Sequence, residues 1–158
     1  DFDSIDAQTI LLIQEKAEAF KLFSSHKDYS DSELSIDYLL DKKYTKIYVY
    51  GALGKRSDHH HINLLLAYKH PEVVLIDQLQ TIQCFTQGSY PLKKEHYNVF
   101  SIFSYDQAII SLSECEYPLD YKEINVHTTL TLSNAWTSDT AHLTIHSGKA
   151  FVVKAINQ

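Results

Sequence analysis

Three short stretches of this chain carry the residue types that do chemistry on phosphate. Asp1-Phe2-Asp3-Ser4 opens it, Lys27-Asp28-Tyr29-Ser30-Asp31-Ser32-Glu33 follows, and Gly51-Ala52-Leu53-Gly54-Lys55-Arg56-Ser57-Asp58-His59 comes third. Together they offer several carboxylates, an arginine and two glycines where strands should give way to loops or helices. Magnesium is held by one or two carboxylates plus phosphate oxygens and water, so this set suits a metal–phosphate site. Asp1 and Asp3 lie two apart, so in an extended segment both face one cation. A solvated terminus, with Asp3 capping the next helix, accounts for the same pair. Asp28 and Asp31 flank a helix start, where a carboxylate also simply stabilises the helix dipole. Glycines at 51 and 54 let backbone amides approach a phosphate, and Arg56 can clamp one with both arms of its fork. The spacing is not that of a Walker loop. Asp58 also reads as a plain first-turn acid.

Other candidates are weaker. His59-His60-His61 points in three directions on a helix, so the run cannot converge on one ion. Ser133-Asn134-Ala135-Trp136 carries polar groups beside the only tryptophan, which is either a stacking face for a heterocycle or a core residue at a turn. Tyr117-Pro118-Leu119 supplies a second candidate aromatic. Cys84 and Cys115 lack metal-ligand spacing and read as buried free thiols.

The elements that must position these residues follow from local pattern. Ala7 to about Lys16 has helical spacing, and Phe20 to Leu22 suggests a short strand. Ser30-x-x-Glu33 is a capping box that starts a helix over Asp31 to about Leu40. Ile47 to Tyr50 reads as a strand ending at Gly51. A helix then begins near Ser57, with Ile62, Leu65 and Leu66 inward, and Pro71 ends it. Val73 to Ile76 is an apolar run expected of a strand covered on both faces. Residues 1–77 therefore read as an α/β layer with a mostly parallel sheet. Residues 78–158 show no convincing helix. Strands are expected at Ile82–Cys84, Tyr90–Leu92, Val99–Phe103, Ala108–Leu112, Val126–Leu132, Leu143–Ile145 and Phe151–Ile156, with turns at Gln87-Gly88, Tyr105-Asp106 and Ser147-Gly148. That half reads as an antiparallel β-sandwich or barrel.

Composition narrows the field. The net charge of −6 over 158 residues argues against a nucleic-acid surface. No apolar run reaches membrane-spanning length and no signal peptide is visible, so a cytoplasmic enzyme or module is expected. The chain has no methionine and opens on aspartate, from which residues upstream of Asp1 are expected.

In this order and spacing the motifs resemble the thiamine pyrophosphokinase family. The family's Gly-Asp-Phe-Asp-Ser resembles residues 1–4, without the glycine. Its Lys-Asp-x-Thr-Asp-x-Glu resembles Lys27 to Glu33, with Ser30 for threonine. Its Gly-x-x-Gly-x-Arg-x-Asp-His resembles Gly51 to His59, with Lys55 at a common glycine and Asn63 matching a further asparagine. Its Tyr-Pro-Leu and late Ser-Asn resemble Tyr117 to Leu119 and Ser133-Asn134, although Glu114-Cys115-Glu116 stands where Gly-Leu-Lys is usual. The resemblance implies an α/β domain followed by a β-sandwich. It implies pyrophosphoryl transfer from ATP to the thiamine hydroxyl, magnesium, and a homodimer whose sites are shared between the α/β part of one chain and the sandwich of the other. It also implies an upstream strand–helix–strand with an Asp-Gly-Gly segment. By the same resemblance Asp1, Asp3, Asp28 and Asp31 hold magnesium and orient phosphates. Gly51, Gly54, Arg56 and Asp58 form the ATP-phosphate loop, and Ser133, Asn134 and Tyr117 meet thiamine. The rival readings are a non-catalytic module that binds thiamine or its diphosphate, and a magnesium-dependent nucleotide hydrolase.

Overall fold

The computed structural model describes residues 5–18, 28–54 and 56–157. Asp1, Asp3 and the expected strand at Phe20 to Leu22 lie outside them. The chain forms two compact units, Asp1–Lys43 and Tyr44–Gln158.

The first unit holds two helices whose ends are written in the sequence. In α1 (Ala7–Lys16), Asp6 is the N-cap: the Thr9 amide donates to its Oδ1 at 2.9 Å and the Thr9 hydroxyl to its Oδ2 at 2.7 Å. Those bonds favour the charged form and lower the Asp6 pKa, the backbone bond most. In α2 (Asp31–Asp41), Ser30 Oγ accepts from the Glu33 amide at 3.2 Å, the expected half of the capping box. Ile36 is its buried residue. The Lys43 amide closes the far end on Leu40 O, with Lys43 itself in the left-handed region at φ 66°.

The second unit begins with a strand–helix–strand crossover: β1 (Ile47–Tyr50), α3 (Ser57–Lys69) and β2 (Val73–Ile76). The two strands pair in parallel, Ile47 opposite Val73. The inward face of α3 differs from the expected stripe. Asn63, Leu66, Ala67 and Tyr68 are buried, whereas Ile62 and Leu65 are 44% and 42% exposed. Two polar anchors set this rotation. Asn63 donates to Ala52 O at 2.9 Å. The Tyr68 ring packs edge-on against Tyr105 and tilted against Phe151, while its hydroxyl lies among Ser104, Asp106 and the Lys149 carbonyl.

Seven further strands follow: β3 (Gln80–Phe85), β4 (Gly88–Lys93), β5 (Val99–Phe103), β6 (Gln107–Ser113), β7 (Leu119–Asn125), β8 (Thr140–Ser147) and β9 (Ala150–Ala155). They make a five-stranded sheet in the order β1-β2-β3-β9-β5 and a four-stranded sheet in the order β4-β8-β6-β7. In the five-stranded sheet only β1 and β2 are parallel; β3, β9 and β5 continue it antiparallel. The sheet thus runs unbroken through the expected boundary at Asp77–Gln78. That point is a turn, closed by the Leu79 and Gln80 amides donating to Asp77 Oδ1. Residues of both sheets, among them Phe100, Ile102 and Val152 from one and Ile110, Leu143 and Ile145 from the other, build one buried core. Gly148 turns β8 into β9 at φ 76°, where a Cβ would sit 2.2 Å from the Gln107 carbonyl oxygen.

The expected strands at 82–84, 90–92, 99–103, 108–112, 143–145 and 151–156 fall on β3, β4, β5, β6, β8 and β9. The expected strand over residues 126–132 is instead a run of turns. Asn125 opens it, its Oδ1 accepting from the His127 amide and its own amide donating to Thr128 Oγ1. The strand in this region lies earlier, at β7. Leu119-Asp120-Tyr121-Lys122-Glu123-Ile124-Asn125 reads as loop because only Ile124 is buried, as befits an edge strand.

Candidate functional site

The predicted phosphate residues converge at the junction of β1 and α3. β1 ends at Tyr50, and Gly51 turns the chain at φ 75° with open space where a Cβ would be. Ala52 is buried, and Asn63, two turns into α3, pins its carbonyl. One buried side chain thereby ties the glycine loop to the helix that follows it. Arg56 is the N-cap residue of α3 and makes no side-chain capping bond there. Its guanidinium meets Asp58 through two contacts, Nε to Oδ1 at 3.2 Å and a terminal nitrogen to Oδ2 at 2.6 Å. Asp58 Oδ1 also accepts from the His59 amide at 2.9 Å. The Asp58 carboxyl is held down at about 2, mainly by the Arg56 hydrogen bond and then by the His59 amide. Arg56 is raised by the same partner. The pair is solvent-exposed and contributes little to the stability of the fold. A glycine turn, a helix start and a fixed guanidinium together form a ready receiver of phosphate.

Asp28 and Asp31 belong to the first unit. Asp28 is exposed in the bend before Ser30, and Asp31 opens α2. Among the described residues no three His, Cys, Asp or Glu side chains group closely enough to hold a metal. His59 and His61 lie exposed on α3, and the histidine run gathers no acidic partner into a metal group.

The second group assembles beside β5. Residues 131–136 run along that strand: the Phe100 and Asn134 backbones exchange two hydrogen bonds, at 2.9 and 2.8 Å, and Ile102 donates to Thr131 O. On its other side the segment pairs with residues 114–117, with Cys115 opposite Trp136 and the Glu116 amide on Ala135 O. Asn134 is 3% exposed and Tyr117 is 58% exposed. Ser133 is exposed, in the left-handed region at φ 56°, with its amide on Ser101 Oγ. Trp136 settles one open alternative. It is a core residue, 7% exposed, packed 4.6 Å from Phe100, with Nε1 donating to Leu92 O at 2.7 Å. It offers no face to a ligand. Cys115 is raised by burial, and Cys84 is pushed up to about 11 by the same cause, as inert thiols are.

The two groups stand at opposite edges of one sheet, β1 and β5. Four strand spacings, about 19 Å, separate those edges. Sequence reasoning assigned no structural task to Asn63. Its signal was a polar residue one place after Ile62 on a helix face that needed one buried donor.

Comparison with known proteins places the chain in a family. Residues 1–76 match the family model described as thiamin pyrophosphokinase, catalytic domain. The chain is 35% identical over 141 residues to a thiamine pyrophosphokinase of Bacillus subtilis (strain 168), an alignment that takes in 85% of this chain and 66% of that protein. The crystal structure of thiamine pyrophosphokinase from Bacillus subtilis superposes with a TM-score of 0.88 at 28% identity, covering all of this chain and 77% of the other. A thiamin pyrophosphokinase from Candida albicans has the same fold, with a TM-score of 0.79 at 14% identity over 99% of this chain and 71% of the other. The chain belongs to the thiamine pyrophosphokinase family. Among the described residues, no helix is long and apolar enough to cross a membrane.

Proposed function

We propose that the protein carrying this chain transfers the pyrophosphoryl group of ATP to the hydroxyl of thiamine, giving thiamine diphosphate and AMP. The hydroxyl oxygen bonds to the β-phosphorus, the bond from that phosphorus to the α-phosphate bridging oxygen breaks, and the hydroxyl proton leaves to a base or water. The observation that carries this reading is the β1–Gly51–α3 junction, with Arg56 aimed by Asp58, in a chain of this family.

In this reading residues 1–77 are the catalytic part and residues 78–158 the thiamine-binding part. Asp28 and Asp31, with Asp1 and Asp3, would hold magnesium, which would supply charge neutralisation for the transferring group. Gly51 and Gly54 bring backbone amides to the phosphates, and Arg56 takes a phosphate oxygen pair with its fork. An arriving phosphate competes with Asp58 for that fork, so Asp58 keeps the guanidinium in place until the nucleotide binds. Tyr117 offers a ring to the thiamine heterocycle, and Ser133 a hydroxyl. The rate gain comes from positioning and charge neutralisation. The span of the five-stranded sheet between the two groups favours a site completed by a second copy, so we propose a homodimer with shared sites. A cytoplasmic location belongs to the same reading.

The test is AMP formation by the full-length protein with ATP and magnesium, with and without thiamine. Thiamine-dependent AMP and thiamine diphosphate are expected. AMP or ADP released equally without thiamine would replace this reading with a nucleotide hydrolase. Thiamine binding without turnover would replace it with a binding module.

A further inference from the structure

The side chain of Asn134 is buried and spent on the backbone around it. An asparagine amide can accept two hydrogen bonds and donate two. Oδ1 accepts from the Tyr117 amide at 3.1 Å and from the Ala135 amide at 2.9 Å. Nδ2 donates to the Tyr117 carbonyl at 2.9 Å. Burial raises the nearby Cys115 thiol, and the Asn134 side chain beside it moderates that rise. The residue's backbone is equally engaged, giving and receiving one bond with Phe100. A donor arriving at Oδ1 would require one of these bonds to break, and at 3% exposure the amide offers a ligand almost no surface; a buried group left without its partner is costly.

We propose that Asn134 is a positioning residue that acts on the thiamine side of the site through Tyr117, and does not itself touch thiamine. Its amide imitates a strand. It gives and takes one bond with the Tyr117 backbone, so the chain from Cys115 to Tyr117 is locked at the point where the ladder beside Trp136 ends. The Tyr117 ring, mostly exposed, is thereby presented at a fixed place and angle. Cys115 is the buried end of the same lock. This assignment rests on the thiamine pyrophosphokinase reading for its ligand, but its geometry does not.

The experiment uses the full-length protein and has two arms. Without substrate, the rate at which an aromatic disulfide reagent labels Cys115 is followed by mass spectrometry in the wild type, Asn134→Ala and Asn134→Asp. Asn134→Ala removes every side-chain bond of the lock and is expected to speed Cys115 labelling at least about tenfold. Cys84, held in β3, serves as the internal standard and stays slow. Asn134→Asp keeps the accepting half of the lock and loses the donating half, so it gives a smaller increase and decides the matter if the alanine variant does not fold. With substrates, Asn134→Ala raises the thiamine KM about tenfold and leaves the ATP KM within about twofold, a split that general destabilisation would not give. In a Tyr117→Ala background the same substitution adds less than about twofold. Unchanged Cys115 protection, or additive effects of the two substitutions on the thiamine KM, would overturn the proposal and return Asn134 to direct ligand contact. A wild-type protein that shows no thiamine-dependent turnover would sink the functional reading instead, while the labelling arm still decides whether Asn134 is the lock.

Discussion

The phosphate loop and the thiamine-side cradle are both held by a buried asparagine, and they are held to different degrees. At the loop, Asn63 contributes one bond, to Ala52 O, and everything beyond it faces water: Gly51, Gly54, Arg56 and Asp58 are all exposed. At the cradle, the Asn134 side chain makes three bonds, Thr131 and Asn134 are stitched to β5, and Trp136 is wedged into the core beneath. In the proposed function the loop receives charge. Its glycine conformation, helix start and guanidinium gain their full value only when an anion and its metal arrive. The cradle is complete before any ligand comes. A heterocycle held by stacking and hydrogen bonds needs a preorganised surface, whereas a polyphosphate can organise a loop by its own charge.

If the contrast is right, damage to the cradle should read out as lost stability, and damage to the phosphate side as lost turnover. The largest stability effect is expected from Trp136→Ala, which empties a core position and strands the Leu92 carbonyl. A loss of about 3–5 kcal/mol follows from such truncations, lowering Tm by about 10 °C in a calorimetric scan. A loss under about 1 kcal/mol would mean that the cradle is no more preorganised than the loop. Asp31→Asn is the mirror case. It is expected to lower kcat at least about a hundredfold while the fold stays largely intact. Activity close to wild type in a steady-state assay would remove Asp31 from the metal shell.

Asn63→Ala tests the single tie of the loop. It should cost about 1–3 kcal/mol as a lost buried hydrogen bond and raise the ATP KM while the thiamine KM stays put. A rise in both would show that Asn63 serves the whole unit rather than the loop. Comparing this variant with Asn134→Ala gives the sharpest contrast, because each substitution removes one amide and each is expected to move a different KM.

How much of this was legible depends on how far apart the interacting residues are. The helix starts were legible because their signals are local: Ser30 finds the Glu33 amide three residues on, and Asp6 finds Thr9. The phosphate loop was legible for the same reason, since Gly51 to Asp58 are contiguous. The unbroken mixed sheet was not, because β3 pairs with β9 across about half the chain and no local pattern encodes that. Residues 126–132 alternate like a strand, yet Asn125 turns them. β7 hides because an edge strand keeps charged residues on show. The α3 stripe was misread because Asn63 and Tyr68 are buried for their polar bonds, which a hydrophobic count ignores. Asn134 was visible as a motif residue, but only the geometry around it shows where its amide goes.

The smallest expected effect is also the cleanest test of the loop as a receiver of charge. The Asp58 carboxyl titrates at about 2 because Arg56 and the His59 amide favour its ionised form. Its folded value is depressed, so whatever the pair contributes to ordering the loop is present above the ordinary carboxylate value of 3.8 and is lost as pH falls through about 2. Arg56→Ala removes the first of these causes, and the Asp58 midpoint in a carboxyl-detected NMR titration should climb toward 3.8. Tm at neutral pH should hardly move, because both partners are solvated. A phosphate bound at Arg56 should act in the same direction, drawing the fork away from the carboxylate. An Asp58 midpoint that stays low after Arg56→Ala would assign the depression to the helix start alone. The loop would then have an anion site without a guanidinium aimed at it, and the contrast with the preorganised cradle would rest on Gly51, Gly54 and Asn63.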